Sequence, residues 1–114
     1  MIKELFEAID AKNPEKFVSF LSNECSFRFG NFDPVVGSEE INNFVTSFFA
    51  SIESLSHDIK DSWPIPNGLI CHGFVSYVRK DGSSLTVPFA NVFKFSNAGI
   101  IEYLVFADTS ALYQ

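Results

Sequence analysis

Residues 69–107 read LICHGFVSYVRKDGSSLTVPFANVFKFSNAGIIEYLVFA, and this stretch decides the fold. Three apolar runs, 69–79, 84–95 and 100–107, alternate in the manner of strands. Lys80-Asp81-Gly82-Ser83 separates the first two and carries the Asp-Gly pair that favours a hairpin. Ser96-Asn97-Ala98-Gly99 turns the chain into the third. Taking Asp81-Gly82 as a two-residue loop sets His72 opposite Asn91, Phe74 opposite Phe89 and Ser76 opposite Val87. Taking Asn97-Ala98 as the next loop sets Asn91 opposite Leu104, Phe89 opposite Phe106 and Val87 opposite Asp108. One sheet face is then an apolar wall of Phe74, Phe89 and Phe106 with His72, Asn91 and Asp108 set into it. A slip of one residue in a hairpin moves every side chain of a strand to the other face, so this grouping stands or falls on the two loops.

Working outward, residues 57–63 form a preceding strand, closed by the breaker Pro64-Ile65-Pro66-Asn67-Gly68. Upstream, Ser38 begins a long helix with Glu39 and Glu40 at its positive end. Its Ile41, Phe44, Val45, Phe48, Phe49 and Ile52 form the strongest periodic stripe in the chain. Cys25, Phe27 and Phe29 alternate with Ser26 and Arg28, which makes residues 24–30 a strand, and residues 30–37 a loop. Asn13-Pro14 is a helix start, with Phe17, Val18 and Leu21 inward. Ile2, Leu5, Phe6 and Ile9 give a first amphipathic helix. This order is α+β: an antiparallel sheet with helices on one face. The other face, with Val75, Tyr77, Val92, Ile101, Tyr103 and Val105, is apolar too. A second subunit is the economical cover for it, which predicts a homodimer through the sheet.

Length and composition bound the function. The 114 residues make one domain, 1–114. Apolar residues are 46% and charged residues 19%, as in a globular chain. The net charge of −6, with no basic run, excludes a nucleic-acid footprint and disfavours an anionic membrane surface. Fourteen Phe in so short a chain imply a dense core or the wall of an apolar cavity. Cys25 and Cys71 lack any metal-ligand spacing and read as buried free thiols. The N-terminal residues do not read as a signal peptide, and no run is long and apolar enough to span a membrane. The expected compartment is cytoplasmic.

The chain resembles the nuclear transport factor 2-like superfamily, and within it the SnoaL-like and ketosteroid-isomerase-related proteins. The resemblance is carried by Ala8-Ile9-Asp10-Ala11-Lys12-Asn13-Pro14, Phe27-Arg28-Phe29-Gly30-Asn31 and Pro34-Val35-Val36-Gly37-Ser38. It continues through Pro88-Phe89-Ala90-Asn91-Val92-Phe93 and Gly99-Ile100-Ile101-Glu102 to Phe106-Ala107-Asp108. It implies a cone, in which a curved antiparallel sheet wraps a long helix around an open-ended apolar pocket, and dimers through the sheet. Ketosteroid isomerases pair a carboxylate base with a Tyr and a protonated Asp as donors. Asn91 falls where that donor Asp would be, the Tyr has no counterpart, and either Asp33 or Arg28 falls at the base position. Limonene-epoxide hydrolases use an Asp–Arg–Asp set, of which only Asp108 has a match. The resemblance thus implies the fold without completing either site.

The candidates follow. Asp108, at the end of an apolar strand, is the expected base, with burial raising its pKa. The alternative is a surface carboxylate capping the sheet end. His72 and Asn91 are the expected donors to a developing oxyanion, against a core histidine and a structural amide. Phe74, Phe89, Phe106, His57, Arg28 and Asp33 are the expected substrate contacts. For Arg28 an ion pair, and for Asp33 turn chemistry, are the plainer readings. No metal and no cofactor are expected. The leading function is acid–base chemistry on a small hydrophobic molecule, of isomerase, cyclase or hydratase type. The rival is a ligand-binding or dimerising module without chemistry.

Overall fold

The computed structural model describes residues 2–113. The chain runs α1 (Ile2–Asp10), α2 (Pro14–Val18), β1 (Leu21–Phe29), β2 (Val35–Val36) and α3 (Ser38–Ala50). Then come β3 (Ser54–Ile65), β4 (Gly68–Val78), β5 (Ser84–Ser96), β6 (Gly99–Phe106) and a 3-10 turn, Ser110–Tyr113. The strands form one six-stranded sheet in the order β2-β1-β6-β5-β4-β3. All neighbours are antiparallel except β1 and β6, which run parallel. The α+β class and the curved sheet packed on helices are those expected. The α3 stripe is also as expected: Ile41, Val45, Phe49 and Ile52 are buried, and Phe44 and Phe48 pack against the core half-buried.

Local chemistry sets the element ends. Asn13 caps α2 by accepting the Lys16 N–H, with Pro14 in the first turn. The helix stops at Val18, and Leu21 belongs to β1, paired with Ile100, rather than to the inward face of α2. β3 runs past Pro64 to Ile65 because it is an edge strand, where a residue without an N–H costs no ladder bond. A two-residue turn, Pro66-Asn67, then reverses the chain, with Asn67 at φ 56°. The sheet bends where β3 bulges between Ile59 and Asp61. Gly73 faces this bulge: a Cβ there would lie 2.0 Å from the Asp58 carbonyl oxygen. Only a glycine lets β4 come so close.

The hairpin registers differ from those expected, for two separate reasons. Between β4 and β5 the loop has three residues, not two. Arg79 N–H donates to Ser83 O at 2.7 Å, and Gly82 N–H donates back to Arg79 O at 2.9 Å. Lys80-Asp81 forms the turn and Gly82 alone takes a positive φ, 89°. A two-residue loop would need positive φ at Asp81 as well. His72 therefore pairs with Ala90, Phe74 with Pro88 and Val75 with Val87. Between β5 and β6 the Asn97-Ala98 loop is as expected, with Ser96 opposite Gly99. A bulge in β6, with Ile101 as the extra residue opposite Lys94 and Phe95, then shifts the rest by one residue, so that Asn91 faces Val105 and Ala90 faces Phe106. The inner face accordingly holds Cys71, Val75 and Tyr77 of β4, Phe89, Asn91 and Phe93 of β5, and Tyr103 and Val105 of β6, most of them fully buried. His72, Phe74, Leu104 and Phe106 turn outward. Val75, Tyr77, Tyr103 and Val105, expected on the outer face, are inside.

Candidate functional site

The inner sheet face, α1, α2 and α3 enclose a cavity of about 50 Å³. Rings of Phe17, Phe27, Phe29, Phe44, Phe48 and Phe89 make most of its wall. His57, Asn91, Tyr77 and Tyr103 are its polar contributors, and no Lys, Arg, Asp or Glu among the described residues lines it.

His57 has the most developed surroundings. Its Nδ1 lies 2.6 Å from Asp10 Oδ1, and its backbone N–H donates to Asp10 Oδ2 at 3.0 Å. Both carboxylate oxygens are thus committed to one residue, and the imidazole is held in one orientation. Nδ1 serves as the donor to the carboxylate, so in the neutral ring the basic site is Nε2. The ring packs 4.9 Å from Phe6 and 5.2 Å, edge-on, from Phe89. Its side chain is only 11% exposed, against 29% for Asp10. A histidine oriented by a carboxylate and facing an apolar cavity can take a proton and return it.

α1 ends so as to place Asp10. Asn13 N–H donates to Ala8 O and Lys12 N–H to Ile9 O, the paired bonds of a Schellman ending. Lys12 occupies its left-handed position at φ 55°, where glycine is usual. The Lys12 ammonium donates to Ile52 O at 2.9 Å and Glu53 O at 3.1 Å, at the entry to β3. This clamp ties the end that carries Asp10 to the strand that carries His57. Lys12→Met, which keeps the stem and removes the donors, is expected to cost about 1–2 kcal/mol in chemical denaturation. An unchanged unfolding midpoint would show the clamp to be idle.

The second polar pair is Asn91 and Tyr103. Asn91 is 1% exposed, and its Nδ2 donates to the Tyr103 hydroxyl at 3.5 Å. Asn91 Oδ1 is buried with no partner among the described residues. Tyr103 is packed against Phe93 at 4.4 Å and Phe27 at 5.1 Å. Burial holds its phenol well above the ordinary tyrosine range, so it is an O–H donor at any working pH. Burial likewise raises the Cys25 and Cys71 thiols to about 11, and both are free and inert.

Of the nine residues expected at the site, the cavity gathers Asn91, Phe89 and His57. Asp108 lies outside, at the surface, where its Oδ1 accepts the Ser110 N–H at 3.0 Å. Its pKa is lowered, first by hydrogen bonding to the Ser110 side chain and then to its backbone, where a raised value was expected. Asp108 is the capping carboxylate of the 3-10 turn, not a desolvated base. His72 and Phe74 sit side by side on the outer face, ring centroids 6.4 Å apart, because of the three-residue loop. Phe106 is outside because of the bulge at Ile101 in β6. Arg28 is exposed with its Nε on Gly30 O at 3.3 Å, and Asp33 is exposed in its loop. Sequence reasoning missed Asp10 and Tyr103. Asp10 follows Phe6 by four positions, an acid on the buried stripe of α1, and that was its available signal. Among the described residues no group of three or more His, Cys, Asp or Glu could hold a metal, and no helix is long and apolar enough to cross a membrane.

Comparison with known proteins bears on the family and the fold. A family model described as a SnoaL-like domain matches residues 2–103. No curated protein matches the chain. Among solved structures, a nuclear transport factor 2-like protein of unknown function from Burkholderia pseudomallei superposes with TM-score 0.87 at 15% identity, covering 97% of this chain and 90% of that one. A candidate SnoaL-like polyketide cyclase from Jannaschia sp. CCS1 gives 0.83 at 15% identity, over 98% and 85%. A protein with a ketosteroid isomerase-like fold from Catenulispora acidiphila, in complex with trimethylamine, gives 0.84 at 14% identity, over 92% and 82%. At these identities the likeness is one of fold.

Proposed function

The chain belongs to the SnoaL-like domain family, and from that premise we propose that its cavity performs cofactor-independent proton transfer on a small neutral ligand, of isomerase or cyclase type. The observation that carries this reading is the Asp10–His57 pair, 2.6 Å apart, at the wall of an apolar cavity. Neutral His57 takes a proton from a ligand carbon through Nε2. The electron pair moves toward the ligand's oxygen, which the Tyr103 hydroxyl steadies as a donor. The imidazolium, stabilised by Asp10, then gives the proton to a second carbon and is neutral again. Tyr103 gains donor strength from the Asn91 amide on its oxygen. The likeness to a candidate polyketide cyclase supports the reaction class. Deuterium exchange from D2O into the carbon next to the carbonyl of cyclohexanone, followed by NMR for the wild type and His57→Gln, tests the reading.

The outer sheet face supports a second element of the proposal, a homodimer. Trp63 is 50%, Phe74 40% and Phe106 57% exposed, and half-buried Ile70, Val92 and Leu104 lie beside them. The rim carries both signs, through Asp58–Lys60 and Lys94–Glu102, as a self-complementary surface requires. Light scattering at tens of micromolar is expected to give twice the chain mass, and Phe106→Glu to give a monomer with unchanged circular dichroism. A monomeric wild type would sink the dimer.

A further inference from the structure

The cavity of about 50 Å³ is far smaller than the roughly 150 Å³ that holds one benzene, so a ligand ring reaches it only where the wall gives way. The wall is unequal. Phe17, Phe27 and Phe89 are fully buried between helices and sheet, whereas Phe44 on α3 is half-buried. Outside Phe29 and Phe44 lies one more ring, Phe32, which does not line the cavity itself. It sits 6.1 Å from Phe29, nearly parallel at 14°, and 5.7 Å, edge-on, from Phe44. Phe32 is thus the outer prop of two rings that close this end of the cavity.

The prop itself is weakly held. Gly30 is anchored, since its N–H donates to Val105 O at 2.9 Å and its carbonyl accepts Arg28 Nε at 3.3 Å. Residues 31–34 beyond it are all exposed, and Phe32 N–H donates within the turn, to Phe29 O at 3.1 Å. The Phe32 ring is 44% exposed, and on its outer side it meets Tyr113, also exposed, edge-on at 6.3 Å. A segment with exposed backbone and little apolar burial opens at low cost. The ring also has somewhere to go. A recess of about 220 Å³ lies beside it, walled by Asn31, Thr109, Ser110 and Tyr113. Ala107 lines both this recess and the cavity, so the two adjoin at the Phe32 end of the sheet.

We propose that Phe32 is the gate of the cavity and fixes the size of the ligand it admits. In the closed form its ring props Phe29 and Phe44 inward. In the open form it turns into the recess, Phe44 gains room to turn outward on α3, and a single ligand ring enters the space they leave. This rests on the proton-transfer reading for the location of the site, but its test needs no turnover. Toluene and 1-methylnaphthalene are titrated into the wild type, Phe32→Leu and Phe32→Ala, with the 13C-labelled methyl groups of Val45 and Val75 on the cavity wall as NMR reporters. An open form populated at about a tenth weakens the apparent affinity about tenfold. Removing the ring removes that handicap. Phe32→Ala is therefore expected to bind toluene about tenfold more tightly than the wild type, with Phe32→Leu between them. 1-Methylnaphthalene is expected to bind Phe32→Ala and not the wild type. Circular dichroism is expected to be unchanged, and should Phe32→Ala fail to fold, Phe32→Leu carries the comparison. The gate is overturned if the folded variants bind toluene no more tightly than the wild type, or if the wild type binds 1-methylnaphthalene as well as they do. It is also overturned if toluene leaves both methyl reporters unmoved in every protein. Tighter toluene binding by the variants, with no cyclohexanone exchange in the wild type, would remove the chemistry and keep the gate. Exchange with equal toluene affinities would remove the gate alone.

Discussion

His57→Gln is expected to lower cyclohexanone deuterium exchange by about 10²–10⁴-fold, the usual worth of a positioned acid–base group. Glutamine keeps a similar reach and can still meet Asp10, so the cavity wall survives. It offers no nitrogen that can take a proton near neutral pH, so the transfer step is lost. Asp10→Asn is the sharper variant. Its carboxamide can donate to Nδ1, which would leave the proton on Nε2 and turn the base away from its task. A carboxylate-to-amide change behind a catalytic histidine costs roughly 10⁴-fold in a serine-protease triad, through this loss of tautomer. Asp10 also accepts the His57 backbone N–H, so circular dichroism and a denaturation curve must accompany the rate. Asp108→Asn is the control, because its carboxylate only caps the C-terminal turn, and it should exchange as the wild type does. Folded His57→Gln and Asp10→Asn proteins with wild-type exchange would remove the proposed chemistry.

The same residues show which parts of this protein are written locally. The α3 stripe is a property of spacing, and it came through intact because apolar residues at helical intervals leave one face to bury. β5 was also legible, since Val87, Phe89, Asn91 and Phe93 share a face whatever its neighbours do. What slid was β4 and β6 against β5. One residue of turn geometry at Gly82 and one extra residue in β6, Ile101 opposite Lys94/Phe95, decided that, and the second breaks the simple alternation on which the expected register rested. Both slips carried polar candidates outward, and so His72 and Asp108 left the cavity while Asn91 stayed. The Asp10–His57 pair was illegible for a different reason. It joins residues 47 apart in sequence, and its geometry depends on the end of α1 and the Lys12 clamp, not on any motif. The dense Phe content left core and cavity wall as alternatives, and the rings do both: Phe93 is core, and Phe44 and Phe48 are wall.

Phe89→Ala and Phe106→Ala separate the two faces of the sheet by stability, and their effects should differ severalfold. Phe89 is 3% exposed, and its ring touches both Phe6, at 6.1 Å, and His57, at 5.2 Å. Removing it should cost about 3–5 kcal/mol, since α1 and the sheet cannot close over the space. It also removes the edge contact that holds the imidazole, so exchange should fall with stability. Phe106 is 57% exposed on the outer face, and in an isolated chain its loss should stay within about 0.5 kcal/mol. A dimer through that face adds a signature of its own. Stability drawn from association depends on protein concentration, while stability drawn from packing within the chain does not. The Phe106→Ala deficit should therefore shrink toward zero on dilution, and the Phe89→Ala deficit should remain. Equal losses at high dilution would mean that Phe106 is buried in the chain, and that the outward turn of β6 beyond the bulge is wrong.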